Sequence, residues 1–234
     1  MNQARTVQLD QVGQADQLAR LAQAALTPFD TIDAAWWQPL LPKQARCTRV
    51  EVRRALRASV LRKWAPEMPL LGGVAACDPA PFGLTHRLAR RVAPILAAAL
   101  HQRSLSGLLR GADVREVRGR WGVEVVDCAL ALSAPPFDVP AIPTPWRLVS
   151  HAELTVIGCR LMHIAVSQLP KPWAARLHLR LPPDAAERVA AACPAPLAEA
   201  LARIDAAAAR ASDALWLWLA QAIQALQSRS EVVE

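Results

Sequence analysis

Residues 173–182 read WAARLHLRLP. From Arg176 to Leu181 a basic residue alternates with leucine, and Pro182 ends the run. The reading of this stretch decides between a purely helical chain and one that carries β-structure. In an extended chain successive side chains point to opposite sides. Leu177, Leu179 and Leu181 then share one face and Arg176, His178 and Arg180 the other, which is the pattern of a half-buried strand. Three buried leucines contribute roughly 1.5–3 kcal/mol each. An isolated strand is not stable, so a strand over 176–181 has to lie on a helix or pair with another extended segment. Its basic face is left as a docking surface.

The rest of the composition favours helix. The chain has 234 residues, 53% of them hydrophobic, with low aromatic content and no tyrosine. Abundant alanine suits helices better than a β-sandwich. The net charge is +7. Lys43, Lys63 and Lys171 are the only lysines, so the basic side is nearly all arginine. Heavy Ala and Arg with scarce Lys is what a GC-rich genome produces, so the arginine excess is not by itself a binding signal. Cys47, Cys77, Cys128, Cys159 and Cys193 are far apart, odd in number and never in a C-x-x-C pair. That argues against a disulfide framework or a zinc ribbon and fits a reducing compartment. The N-terminal residues lack the apolar core of an export signal, and no run of about 20 apolar residues exists.

Along the chain, residues 16–26 have helical spacing. WWQPLLP (36–42) is a short element stopped by Pro42, and its tryptophan pair anchors core. Residues 49–64 form a basic amphipathic helix in which Val52, Leu56, Val60 and Trp64 recur at i+4, with Arg53, Arg54 and Arg57 outside that row. Pro and Gly make 65–83 a loop. Thr85 caps a helix over about 86–102, kinked at Pro94. Residues 104–110 and 114–132 continue in helical style, although 122–132 also reads as a strand. Five prolines make 133–146 a loop. Ser150 and Glu153 form an S-x-x-E capping box that starts a helix ending at Pro170. Its Leu154, Ile157, Leu161 and Ile164 follow at heptad-like spacing. Asp184 with Glu187 caps a further helix, and one long helix covers about 197–227.

The usual signatures of chemistry are missing. There is no G-x-S-x-G elbow, no Walker-type loop and no G-x-G-x-x-G. Carboxylates are scattered rather than paired in apolar surroundings. His151, Cys159 and His163 share one helix, but at 100° per residue His151 points about 120° away from His163, so the three do not converge as zinc ligands must. No metal, cofactor or catalytic residue is expected. Basic residues are more suggestive: Arg87, Arg90, Arg91, Arg103, Arg110, Arg115, Arg118 and Arg120 crowd one third of the chain. Such a band suits phosphate contacts, but no helix-turn-helix, zinc-finger or RNP-type motif accompanies it. A basic nucleic-acid-binding regulator is therefore the alternative to a protein-docking module.

The order of segments adds a resemblance. The stretch PTPWRLVSHAELTVIGCRLMHIAVSQLPKPWAARLHLRLPPD (143–184) resembles the SctK (YscK-like) family of bacterial type III secretion systems. That family shows a helix, a Pro/Trp-containing turn and then W-x-x-R-L-x-L-R-L-P, here Trp173, Arg176, Leu177, Leu179, Arg180, Leu181 and Pro182. LAAALHQRSLSGLLRGADVREVRGRWGVEVVDCAL (96–130) looks like the same family's middle segment, and WWQPLLP resembles its W-x-x-x-L-P element. The similarity covers about 35–182; residues 195–234 lack a clear match. The resemblance implies a non-enzymatic adaptor of the cytoplasmic sorting platform, linking the cytosolic domain of the ring protein SctD to the pod protein SctQ, with SctL and the ATPase SctN beyond. It carries no catalytic residue or cofactor.

The expected fold is mostly α: a single compact multi-helix domain of eight to ten helices, with at most a small β element near 176–181. An N-terminal helical segment covers 1–30, the main domain 31–228 and a flexible tail 229–234. No nucleic acid and no membrane insertion are expected, and the location is the bacterial cytoplasm at the base of the injectisome. The partner-binding candidates, chosen by charge clustering, are Arg53, Arg57, Arg87, Arg90, Arg91, Arg176 and Arg180.

Overall fold

The computed structural model describes residues 32–40, 50–67, 77, 80–108, 111–138, 149–182 and 195–232. The expected helices at 16–26 and after Asp184 lie outside the described residues, as do Arg110 and most of the two proline-rich loops. In chain order the helices are α1 (Ala34–Trp37), α2 (Val50–Trp64), α3 (His86–Ala99), α4 (Gln102–Ser106), α5 (Gly111–Trp121), α6 (Val123–Ala131), α7 (His151–Ser167), α8 (Lys171–His178), α9 (Ala195–Arg210) and α10 (Ser212–Val232). Short 3-10 turns at Gln38–Leu40 and Ala80–Gly83 complete the described elements, and none of these residues forms a strand. The fold is mostly α, a single compact helical arrangement.

Local sequence explains where the two central helices begin. The Thr85 hydroxyl accepts the Leu88 amide at the start of α3. Ser150 accepts the Glu153 amide while the Glu153 carboxylate accepts the Ser150 amide at 2.7 Å, so both halves of the capping box are present. Each arrangement satisfies amides that the first helical turn would otherwise leave open. Pro94 sits inside α3, where it removes one backbone bond to the Arg90 carbonyl.

Helices α3 and α7 pack along each other at the centre, with α6, α9 and α10 against them. Small residues make the approach close. Ala89, Ala93 and Ala97 of α3 are fully buried, as is Ala165 of α7. Gly158 of α7 lies on Ala93, and a Cβ built there would fall inside the Ala93 carbonyl group. Around this contact the core takes Val92, Ile95, Leu96, Leu154, Leu161 and Met162, all essentially without exposure. Larger side chains fill the edges. Phe82 meets Trp173 edge-on at 4.9 Å and Trp216 at 5.2 Å.

Tryptophans also fix the connections. The Trp121 indole N–H donates to the Val149 carbonyl at 2.9 Å, just ahead of α7. Trp218 of α10 donates to the Ser133 carbonyl at 3.1 Å, just after α6. Between α5 and α6, Gly122 takes φ 94°, a conformation that a side chain would strain. That turn lets Val125, Val126, Cys128 and Ala129 point into the core at helical spacing. The strand reading of 122–132 is therefore corrected to helix.

Three other expectations change. The stretch 176–181 is no strand: α8 runs to His178, and the chain then tightens through bonds from the Arg180 amide to Leu177 and from the Leu181 amide to His178. An alternating hexamer fits a helix as well as a strand, because every second residue repeated twice is also an i, i+4 pair. Leu177 and Leu181 enter the main core, whereas Leu179 faces away from it into a second, smaller cluster. The single C-terminal helix is two, divided at Ala211. The tail does not begin at 229, since α10 continues to Val232.

The close crossing gives a direct test. Gly158→Ala should lower unfolding free energy by more than about 3 kcal/mol, since overpacking against backbone has no soft neighbour to yield. Gly119 lies in α5 with open space where its Cβ would stand. Gly119→Ala should instead stabilise by roughly 0.5–1 kcal/mol. Denaturant unfolding of both variants measures the difference.

Candidate functional site

The sequence candidates are all arginines, and the structure sorts them by burial and partner. Arg176 and Arg180 are 7% and 3% exposed. Arg180 donates to the Phe82 carbonyl at 2.7 Å and to Leu84 at 3.4 Å. Arg176 reaches the Glu67 carbonyl at 3.4 Å. Burial pushes the Arg180 guanidinium down to about 10, helped by the charge of Arg176, so it stays protonated at neutral pH. These two side chains tie α8 to the segments before α3. The basic face expected of 176–181 is not a surface, and a docking role for Arg176 and Arg180 is withdrawn because they are enclosed.

On α2, Arg53 and Arg57 are half-buried. The Arg57 guanidinium lies 5.3 Å over the Trp37 ring, a cation–π contact that covers an aromatic face. The expected apolar row of α2 turns only partly inward. Val60 is buried and Leu56 half-buried, whereas Val52 and Trp64 are 43% and 55% exposed. Lys63 sits 5.3 Å from the Trp64 ring.

On α3, Arg87, Arg90 and Arg91 are all exposed, but two of them are engaged. Arg91 pairs with Glu124 of α6 at 2.6 Å. Arg90 forks onto both carboxylate oxygens of Asp33, at 3.1–3.3 Å. Arg87 makes no ion pair among the described residues. Further along the basic band, Arg118 and Arg229 share the carboxylate of Asp127, which joins α5, α6 and α10. Partial burial pulls Asp127 up, but the hydrogen bonds from Arg229 and Arg118 outweigh it and hold the carboxyl below its usual range. Three of the eight arginines of the band, Arg90, Arg91 and Arg118, thus brace the chain's own elements.

Two polar features were not legible in the sequence. The first is a histidine pair. His163 of α7 and His178 of α8 stack at 4.9 Å, with their Nδ1 atoms 2.7 Å apart. His163 Nε2 is 2.8 Å from the Pro182 carbonyl, which only accepts, so that nitrogen donates there. One proton between the two Nδ1 atoms links the rings. Together with Trp173 and Leu181, the pair fixes how α8 folds back on α7. In space His151 is exposed, Cys159 faces the core and His163 turns to His178. Among the described residues no three His, Cys, Asp or Glu side chains are grouped to hold a metal ion. The second feature is Asp33, whose side chain has no exposure and whose amide donates to the Leu179 carbonyl at 2.8 Å. Its only sequence signal is an acid before the apolar WW pair.

No helix among the described residues is long and apolar enough to cross a membrane. Compared with protein-family models, curated proteins and solved structures, the chain matches none.

His101 supplies a pH test. It is 7% exposed, lies tilted against Trp121 with ring centroids 5.6 Å apart and leaves Nε2 without a hydrogen-bond partner. Burial lowers its pKa from 6.5 to about 4. The unfolded chain then binds a proton more readily than the folded one. Stability should fall as pH drops from about 6.5 towards 4, by roughly 3 kcal/mol in full. In His101→Phe that acid-side loss should shrink, measured as denaturation midpoints across this pH range.

Proposed function

We propose that the protein is a non-enzymatic adaptor of the type III secretion sorting platform. It works in the bacterial cytoplasm, peripheral to the inner membrane at the base of the injectisome. One surface meets the cytosolic domain of SctD and another meets SctQ, and through it SctL and the ATPase. The W-x-x-R-L-x-L-R-L-P block at 173–182, set within a similarity over about 35–182, carries this reading. The packing supports it by engaging six of the seven named residues of the block: Trp173, Leu177 and Leu181 in the core, Leu179 in the second cluster, Arg176 and Arg180 on carbonyls.

The mechanism is bivalent docking. Contacts of moderate affinity gain from the high effective concentration at an assembled platform and still exchange. The acidic partner is expected at Arg87 and along α2, where Arg54, Arg62 and Lys63 are exposed. Arg90 and Arg91 contribute less freely, because each already holds a carboxylate of this chain.

The test is binding of the full chain to purified SctD cytosolic domain and SctQ from the same secretion system. Arg87→Glu should weaken one of the two interactions by about tenfold, ~1.4 kcal/mol, without changing the melting temperature. Wild-type protein that binds neither partner removes the proposal. A strongly salt-dependent mobility shift with DNA or RNA would favour the nucleic-acid alternative.

A further inference from the structure

Helix α6 is enclosed on one side. α3, α4, α5 and α10 pack against it, and Val125, Val126, Cys128 and Ala129 are buried among them. Val123 and Leu130 point the other way, 55% and 40% exposed. At about 100° per residue, Val123, Asp127 and Leu130 form one stripe along the outer side of the helix. The two apolar side chains stand two turns apart, about 10 Å, with the Asp127 carboxylate between them.

Arginines from three helices border this stripe. Arg91 of α3 holds Glu124 at its start. Arg118 of α5 and Arg229 of α10 hold Asp127 at its middle. Arg115 lies one turn before Arg118 on the same side of α5, exposed and without an ion pair among the described residues. The acids of α5, Asp113 and Glu116, fall on the opposite side of that helix. Along the stripe four arginines therefore stand against two carboxylates, Glu124 and Asp127. Arg91, Arg118 and Arg229 each meet their carboxylate through a single nitrogen. A guanidinium carries several N–H donors in a planar fork, so each of these exposed side chains has donors left over.

We propose that the outer face of α6 is a docking surface for an acidic amphipathic helix of another protein. Val123 and Leu130 take its apolar side chains, and the arginine rim takes its carboxylates. Charge selects this occupant. A second copy of the chain would set arginine against arginine in a protein of net charge +7. A nucleic acid would lay a continuous line of phosphates over Glu124 and Asp127, whereas the separate carboxylates of a peptide can avoid them. The rim steers and orients the partner, and the apolar pair sets how long it stays. This inference does not depend on the secretion reading, since it follows from the packing and charges of one chain.

Fluorescence anisotropy with the full chain and a labelled synthetic peptide tests it. The probe is a helical peptide with leucine at i, i+3 and i+7 and glutamate at the positions between. The wild type should bind it, more weakly as salt is raised. Leu130→Gln and Arg115→Glu should each weaken binding by about tenfold with an unchanged melting temperature, because both side chains are exposed. A peptide with serine in place of the leucines should also bind about tenfold more weakly. Four results overturn the proposal: no binding of the leucine peptide at concentrations up to about 1 mM, equal binding of the serine peptide, full binding in both protein variants, or tighter binding of duplex DNA that Leu130→Gln leaves unchanged. Sedimentation of the chain alone covers the remaining occupant. A dimer that Leu130→Gln dissociates would assign the face to a second copy and overturn the proposal as well.

Discussion

The contact between Gly158 and the backbone at Ala93 is the constraint on which the rest of the structure depends. It brings α3 and α7 together at backbone distance, and a close central crossing sets the width of every other groove. With alanine at 89, 93, 97, 98 and 99, much of α3 carries little side-chain bulk. Ile95, Leu96, Leu154, Leu161 and Met162 of the pair pack around the contact, and the aromatic residues come from outside it: Trp121, Phe82, Trp173 and Trp218 fill the rim. Interiors pack near crystal density, so a thin centre and a bulky rim are complementary rather than independent choices.

Much of this was legible in the sequence, for identifiable reasons. The capping box at Ser150 and the Thr85 cap act within four residues, so their chemistry is written locally. Apolar spacing in α7 pointed to Leu154, Ile157 and Leu161, all of which are core. The stretch 176–181 misled because six alternating residues satisfy two periodicities at once. Only the third dimension separates them, by sending Leu179 one way and Leu177 with Leu181 the other. Likewise, one continuous C-terminal helix was expected because alanines run through the break at Ala211 with no glycine or proline to mark it.

The candidate site was less legible. Charge clustering along the chain found the arginines but not their partners, most of which are distant in sequence: Asp33 for Arg90, Glu124 for Arg91, Asp127 for Arg229. Burial of Arg176 and Arg180 was hidden for the same reason, since the carbonyls they satisfy belong to residues about a hundred positions earlier. The His163–His178 pair joins two helices through ring nitrogens and carries no spacing signature. Net charge therefore overstated how much basic surface is free to meet a partner.

The tryptophans have a practical corollary. With eight indoles, no phenol and three phenylalanines, near-ultraviolet emission and dichroism are dominated by tryptophan. Trp121, Trp173, Trp216, Trp218 and Trp37 are enclosed, whereas Trp64 stands largely in water and Trp36 is half-covered. The chain thus carries its own spectroscopic labels: enclosed indoles that emit to the blue, and Trp64 at the end of α2, which emits further to the red, readable without any dye.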